Sequence, residues 1–289
     1  MNLIRFDDAN RFYERVSPFL SAREAEHNLL LGIIRGVQIG EYTEYPPYLG
    51  CIEADNQVVA VIVRTPPHHA LLSLMDKPHN IIPLIVENMR HEYPSLAGVI
   101  GAKLDARIFA ETWEAATGQP FWLGVRQRIY KLTQVTFPQH VAGELRWATE
   151  ADFNMLVNWY IGFIKDAGLT ITTPDRAQSI VRRYLDADPK ERRLAILQVD
   201  GVPVSMSGYM GSTPNGMRVG AVYTPAEHRK KGYASACVAH LSQHILDMGK
   251  QFSFLFTDLA NPTSNHIYQA IGYQPISDVD EYRFVESTL

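Results

Sequence analysis

Residues 219–234, Val-Gly-Ala-Val-Tyr-Thr-Pro-Ala-Glu-His-Arg-Lys-Lys-Gly-Tyr-Ala, leave the chain little choice of local structure. The apolar run Val219 to Tyr223 predicts a strand, Thr224-Pro225 breaks it, and a basic turn leads to Gly232, where a long helix begins. A strand that feeds a helix through such a turn points several unpaired backbone N–H groups and a helix N-terminus at one spot. That arrangement suits a phosphate or pyrophosphate. Gly232 allows the backbone to approach an anion with no Cβ in the way. Ala234, Ser235 and Ala236 keep the first helical turn narrow. A lone R-x-x-G-x-A would be read as a solvated basic turn, so the weight lies with its downstream partner.

Downstream, Gln251 to Thr257 is a β-rich apolar run. It leads into Asp258-Leu-Ala-Asn261-Pro-Thr-Ser264-Asn-His-Ile-Tyr268-Gln-Ala-Ile-Gly272-Tyr273. The segment Arg229-Lys230-Lys231-Gly232-Tyr233-Ala234 resembles the acyl-CoA pyrophosphate loop (R/Q-x-x-G-x-G/A) of the GCN5-related N-acetyltransferase (GNAT) superfamily. The later segment is similar to that family's N-x-x-(A/S)-x-x-x-Y-x-x-x-G-(F/Y) signature, matched at Asn261, Ser264, Tyr268, Gly272 and Tyr273. Either motif alone is weak. In this order, one helix and one strand apart, they reinforce each other over roughly residues 143–289.

At 289 residues the chain has room for two domains, and 46% hydrophobic with 20% charged residues is ordinary globular composition. The formal net charge of −4 divides as about −2 in each half (13 cationic against 15 acidic residues in 1–143, 14 against 16 in 144–289). Neither half therefore has the basic excess of a nucleic-acid or anionic-membrane binder. Cys51 and Cys237 are the only cysteines, one per half, with no disulfide framework or metal cluster in their spacing. With no signal-type segment and no apolar run of membrane-spanning length, a soluble, cytoplasmic protein is the expectation.

Residues 144–289 read as a catalytic domain of mixed α/β class. Leu145-Arg-Trp-Ala predicts a strand, and Thr149 is placed to cap a helix over Asp152 to Lys165. Thr173-Pro174 starts a second helix through Tyr184. Leu194–Val199 and Val202–Met210 flank Asp200-Gly201, a two-residue hairpin signal, and Asn215-Gly216 reads as another. The helix after Gly232 sets Ala234, Val238, Leu241, Ile245 and Met248 on one face. Asn261-Pro262 is a cap followed by proline at the first helical position, Gly272 a stop, and Tyr282-Arg-Phe-Val a last strand. The order β-α-α-β-β-β-α-β-α-β is the one the family uses. Residues 1–133 carry a fainter copy. A hairpin at Asp55-Asn56-Gln57 is followed by a strand over Ala70–Leu74, a helix over Pro78–His91, a strand over Val99–Gly101, a helix over Leu104–Ala116 and a strand over Phe121–Leu132. Where a pyrophosphate loop would lie stands Met75-Asp-Lys-Pro-His-Asn, with an acid, a proline and no glycine. This half reads as a degenerate GNAT-like lobe without a cofactor site, or else an unrelated α/β domain, joined by a linker over 134–143.

The resemblance implies acetyl-CoA as acyl donor and, given the acidic chain, a small-molecule amine as acceptor. No metal is implied, and oligomeric state is not legible. Backbone amides of Arg229, Lys230, Lys231, Gly232, Tyr233 and Ala234 would face the pyrophosphate. The side chains of Arg229 and Lys230 could add charge or equally face solvent. Val222, on the strand beside the pantetheine arm, is the candidate N–H donor to the thioester oxygen. Tyr268, two helical turns after Asn261, is the candidate acid for the leaving thiolate, while Asn261 and Ser264 share its face and would contact the cofactor. Glu227, His228, Asp258 and Tyr223 are candidates for general base, with none singled out. A CoA-binding sensor without turnover, or transfer to a hydroxyl or from a longer acyl-CoA, are the competing readings. His240 and His244 have zinc-helix spacing but lack the intervening glutamate, His68-His69 reads as a loop, Cys237 as buried, and Trp113, Trp122, Trp147 and Trp159 as core or cleft wall.

Overall fold

A computed structural model describes residues 1–168 and 173–285. The chain divides into two compact units, residues 1–129 together with the stretch from Ile276 onward, and residues 130–275.

In the first unit β1 (Asn2–Phe6), α1 (Ala9–Ala22) and α2 (Asn28–Gln38) precede the hairpin of β2 (Tyr48–Ala54) and β3 (Gln57–Arg64). Next come β4 (Ala70–Leu72), α3 (Pro78–Glu92), β5 (Gly98–Ala102), α4 (Lys103–Thr117) and β6 (Phe121–Leu132), whose last residues belong to the second unit. The Asp8 carboxylate accepts the Arg11 N–H at 2.8 Å and starts α1. Asp55 and Asn56, both at positive φ, make the two-residue hairpin turn. The sheet is buried on both faces, and its period-2 alternation sorts the side chains. Tyr48, Ile52, Ala60 and Ile62 pack under α3 and α4 with Phe109 and Trp113. Leu49, Cys51, Val61 and Val63 pack under α1 and α2 with Phe12, Leu20 and Ile34.

The second unit runs β7 (Glu144–Trp147), α5 (Phe153–Asp166), α6 (Pro174–Leu185), β8 (Arg193–Val199), β9 (Val202–Met210), β10 (Gly216–Tyr223), α7 (Tyr233–Asp247), β11 (Phe252–Asp258) and α8 (Pro262–Ala270), before β12 (Gln274–Phe284) leaves it. Its strands lie in the order β11-β10-β9-β8-β7. α7 covers one face through Val238, Leu241 and Ile245 against Met217, Val219 and Leu255. α5 and α6 cover the other through Leu156, Val181 and Tyr184 against Leu194, Ile196 and Met206. Thr149 and Asp152 form the capping box ahead of α5, Thr173 caps α6, and Asp200-Gly201 makes the hairpin turn at φ 50° and 77°.

Four expectations change. A domain over 144–289 does not describe the chain's ending. β12 extends over 274–284 rather than beginning at Tyr282, and it pairs antiparallel with β5 in the first unit, from Val279–Ala102 to Arg283–Gly98. Arg128–Asp278 and the Gln119 amide donating to the Val285 carbonyl hold it there. Residues 134–143 are not a free linker. They belong to the second unit, with the Thr136 N–H donating to Ile271 O at 2.9 Å. Asn215-Gly216 is not a two-residue turn, because neither residue has positive φ; the loop is Gly211–Asn215, with Gly211 at φ 65°. Trp122 is also corrected, standing 49% exposed on β6, whereas Trp113 is fully buried.

Candidate active site

The sheet of the second unit opens beside the basic turn that precedes α7. β10 and β11 pair in parallel at Gly216–Phe252, Met217–Ser253 and Arg218–Phe254. Beyond those pairs the two strands run on, to Tyr223 and Asp258, without pairing to each other. On its other side β10 slips register against β9: Gly220 faces Gly208 while Tyr223 faces Met206. Three steps on β10 against two on β9 make a bulge around Ala221-Val222, with Ala221 at φ 50°. The bulge takes Val222 out of the regular ladder and turns the strand end away from its neighbour. A wedge results, lined by the backbone of 219–223.

At the wide end the chain passes a short 3-10 turn over Ala226–His228 and reaches α7. Gly232 is the N-cap residue at φ 80°, with no side chain bonded across the helix end. The first helical bond is Ala236 N–H to Gly232 O at 3.0 Å, so the N–H groups of Tyr233, Ala234 and Ser235 have no acceptor within the helix. Lys230 at φ 62° and Lys231 are exposed at this end. The need for glycine at 232 has a second cause, since a Cβ there would stand 2.7 Å from Cγ2 of Val141. Arg229 is placed differently from the cofactor role considered for it. Its Nε donates to Thr224 O at 2.9 Å and its Nη2 meets Asp166 Oδ2 at 2.5 Å, which ties the loop to the end of α5.

Asn261 caps α8, its Oδ1 accepting the Ser264 N–H at 3.0 Å. Sequence reasoning missed Asn265. Its amide donates to the carbonyls of Asp258 and Asn261 at 2.9 and 2.7 Å and accepts from the Tyr130 hydroxyl at 2.9 Å, fixing the β11–α8 turn. Nothing in the motif spacing marks it, because Tyr130 lies 135 positions away. Tyr268 is 9% exposed, its ring 6.0 Å from that of Tyr273. Its hydroxyl has no hydrogen bond among the described residues, and it is not among the buried polar atoms sealed from solvent. Burial, then the neighbouring Tyr273, push its pKa up, so it holds its proton across the neutral range.

The base candidates separate by position. Glu227 is exposed on the 3-10 turn, and His228 lies beside Tyr233 with ring centroids 6.4 Å apart. Asp258 accepts the Ala260 N–H at 2.8 Å. Tyr223 lies against α5, its hydroxyl 2.5 Å from where a Cβ on Gly162 would stand and its ring 6.2 Å from Trp159. His240 is exposed and His244 packs on Trp147 at 4.6 Å. Among the described residues no group of three or more His, Cys, Asp or Glu could hold a metal ion, and no helix is long and apolar enough to cross a membrane.

The corresponding loop of the first unit is filled by the protein itself. Leu74 N–H donates to His27 Nε2 at 3.2 Å and Met75 N–H to Asp105 Oδ2 at 2.9 Å. These bonds also end β4 at Leu72, short of the expected Leu74. His27 donates from Nδ1 to Leu20 O at 3.0 Å, which fixes its neutral form, and burial lowers its pKa. With these amides engaged, and Pro78 opening α3 without an N–H, native mass spectrometry at saturating acetyl-CoA should count one ligand per chain. A second bound ligand, lost on mutating 73–80, would contradict this.

Asp105 gives a pH signature. Burial raises its pKa from 3.8 to about 6, against the pull of the Met75 N–H, while Asp76 adds to the rise. A folded-state pKa above the unfolded value means the contribution to stability is full below the unfolded pKa and is lost as pH climbs through about 6. His27 works oppositely, its contribution being present above its ordinary pKa and lost as pH falls. Asp105→Asn, whose amide oxygen can still accept from Met75, should therefore gain melting temperature over the parent progressively between pH 4 and 7. A difference constant across that range would show that the carboxylate is not titrating there.

Comparisons with known proteins bear on the fold. A family model described as FR47-like protein matches residues 201–285, the span from the β8–β9 turn through β12. No curated protein matches the sequence. Among solved structures, a GCN5-related N-acetyltransferase from Kribbella flavida superposes with a TM-score of 0.56 at 16% identity, covering 80% of this chain and 88% of that one. A GNAT-family acetyltransferase from Colwellia psychrerythraea gives 0.59 at 10% identity over 99% and 100% of the two chains. A tandem GNAT protein from the clavulanic acid biosynthesis pathway gives 0.53 at 10% identity over 100% and 99%.

Proposed function

Because the chain has the fold of the GCN5-related N-acetyltransferases, in tandem, we propose that its second unit transfers an acetyl group from acetyl-CoA to an amine of a small molecule, directly within a ternary complex. The observation that carries this reading is the parting of β10 and β11 beside an uncapped helix start, with an unbonded tyrosine hydroxyl on the next helix. Acetyl-CoA supplies an activated thioester, and the residues of this chain do the rest. The amides of Gly232, Tyr233 and Ala234, with Lys230 and Lys231 nearby, meet the pyrophosphate's charge. Arg229 acts through Asp166 and Thr224 to hold that turn in place. The Val222 N–H, beside the bulge residue Ala221, donates to the thioester oxygen in this reading. Most of the acceleration comes from holding two reactants in one cleft.

As the amine nitrogen bonds to the carbonyl carbon and the C–S bond breaks, Tyr268 gives its proton to the departing sulfur and is reprotonated at the expense of the proton the amine sheds, with Asn261 and Ser264 flanking the cofactor arm on the same helix. A phenol of pKa ~10 and an alkyl thiol are of similar acidity, so the proton can pass from one to the other without a large cost. The thiolate is desolvated beside the same buried ring, which raises its basicity as burial raises the phenol's pKa. The test is release of free CoA from acetyl-CoA and longer acyl-CoAs against a panel of small amines and alcohols. Turnover with amines supports the reading, and a preference for alcohols or long acyl donors would redirect it. Tight acetyl-CoA binding with no turnover would make the protein a sensor.

A further inference from the structure

Accepting acyl transfer at the wedge, we propose that Ser205 and Thr224 are positioning residues for the Val222 N–H, their two hydroxyls locking the far end of the β10 bulge and so fixing where that amide meets the thioester oxygen. The stretch needs such a lock. β10 is in register with β9 at Gly220–Gly208 and again at Tyr223–Met206, while Ala221 and Val222 between them have no register partner on β9 or β11. Ala221 stands at φ 50°, a left-handed conformation that a residue with a Cβ keeps only where its surroundings impose it. The ladder returns for the single pair at Tyr223, where β10 ends, so the end of the bulge requires a further hold.

Ser205 supplies it from β9. It alternates with Met206, which enters the core under α5 and α6, so its own side chain faces α7. There its register partner Leu197 packs with Ala236 and Cys237, and the next serine on that face, Ser207, has its Oγ 3.1 Å from Cys237 Sγ. Ser205 is fully buried, and a hydroxyl in so apolar a place has to direct its proton at a fixed acceptor. That acceptor is the Tyr223 carbonyl, at 3.0 Å. A hydroxyl has one proton to give, so the 2.9 Å contact between Ser205 Oγ and Thr224 Oγ1 is donated by Thr224. One buried oxygen thereby clamps the peptide between Tyr223 and Thr224 at its carbonyl and at the side chain that follows, two peptide units beyond the Val222 N–H. On its other side the Thr224 carbonyl accepts Arg229 Nε at 2.9 Å. The same threonine therefore ties the end of the bulge to the turn that leads into α7.

The lock is read first without any ligand. In protein carrying isotope-labelled valine, the Val222 amide signal is assigned by its loss in Val222→Ile. It should move in Ser205→Ala and in Thr224→Val, and return to the parent position in Thr224→Ser, which keeps the hydroxyl. Thr224→Val preserves side-chain shape at a half-buried site, so the test stands even if Ser205→Ala fails to fold. A Val222 signal that stays put in Thr224→Val overturns the proposal whatever the protein catalyses. The second reading is the infrared carbonyl stretch of bound, carbonyl-labelled acetyl-CoA. It should lie below that of free acetyl-CoA in the parent and shift back toward the free value in both hydroxyl-deleted variants. Their kcat for amine acetylation should fall about tenfold, a part of the roughly 10²–10³-fold cost of losing a whole oxyanion donor, at nearly unchanged acetyl-CoA affinity. Affinity falling in step with kcat would make the pair a general support of the site and overturn the positioning role. A moved amide, with the parent's bound carbonyl matching the free one, keeps the lock and takes the thioester away from Val222; what then fails is the reading of the reaction.

Discussion

Gly232→Val should abolish measurable acetyl-CoA binding while leaving the fold intact. A β-branched residue is strained at φ 80°, and its Cβ would stand 2.7 Å from Val141. The loop must therefore shift, and the α7 amides lose their aim. Losing two charge-assisted hydrogen bonds at ~1.5–3 kcal/mol each weakens affinity about 100-fold or more. Calorimetry measures the loss, and thermal melting shows that the variant is folded. Adding Val141→Ala removes the steric contact but not the φ constraint, so it should restore affinity only in part. A folded Gly232→Val protein with the parent's affinity would move the cofactor away from this turn.

Tyr268→Phe should retain acetyl-CoA affinity and lose roughly 10²-fold in turnover, the scale of one general acid. The loss belongs in kcat, because the proton is needed only as the thiolate leaves. The substitution removes a hydroxyl that bonds to nothing else among the described residues, so stability should hardly change. Undiminished kcat would assign the proton to water or to another side chain.

The elements of the second unit were legible because their ends are chemically marked. Asp200-Gly201 adopts left-handed turn geometry, Thr173 and Asn261 cap helices with a proline following, and Gly232 stands where positive φ is demanded. Asn215-Gly216 misled because the same dipeptide serves equally in a longer loop, where Thr213 N–H donates to Gly216 O. The motif residues are marked in the same way, Gly232 as a helix start at positive φ and Asn261 as a helix cap. Arg229 is visible in the motif but its partner is not, because Asp166 lies 63 residues away. The Val222 bulge had no signal at all, since a slip in register is a relation between two strands.

Local sequence therefore determined which stretches become strands, turns and capped helices, and where the amides at 232–234 and the phenol at 268 are placed along the chain. Long-range pairing decided the rest. β12 carries the alternation of any half-buried strand, and its ladder of N–H and C=O groups is the same whatever its side chains are. That it lies on β5 depends on Arg128 meeting Asp278, Gln119 reaching the Val285 carbonyl, and Tyr282 and Phe284 entering the core beneath α4. The engagement of the first unit's loop amides is decided in the same way. Met75-Asp-Lys-Pro is visibly unsuited to an anion, but only folding brings His27 and Asp105 to the amides of Leu74 and Met75. A buried N–H must find an acceptor, and which side chain supplies it is fixed by packing across 47 and 30 residues of sequence, beyond the reach of any local pattern.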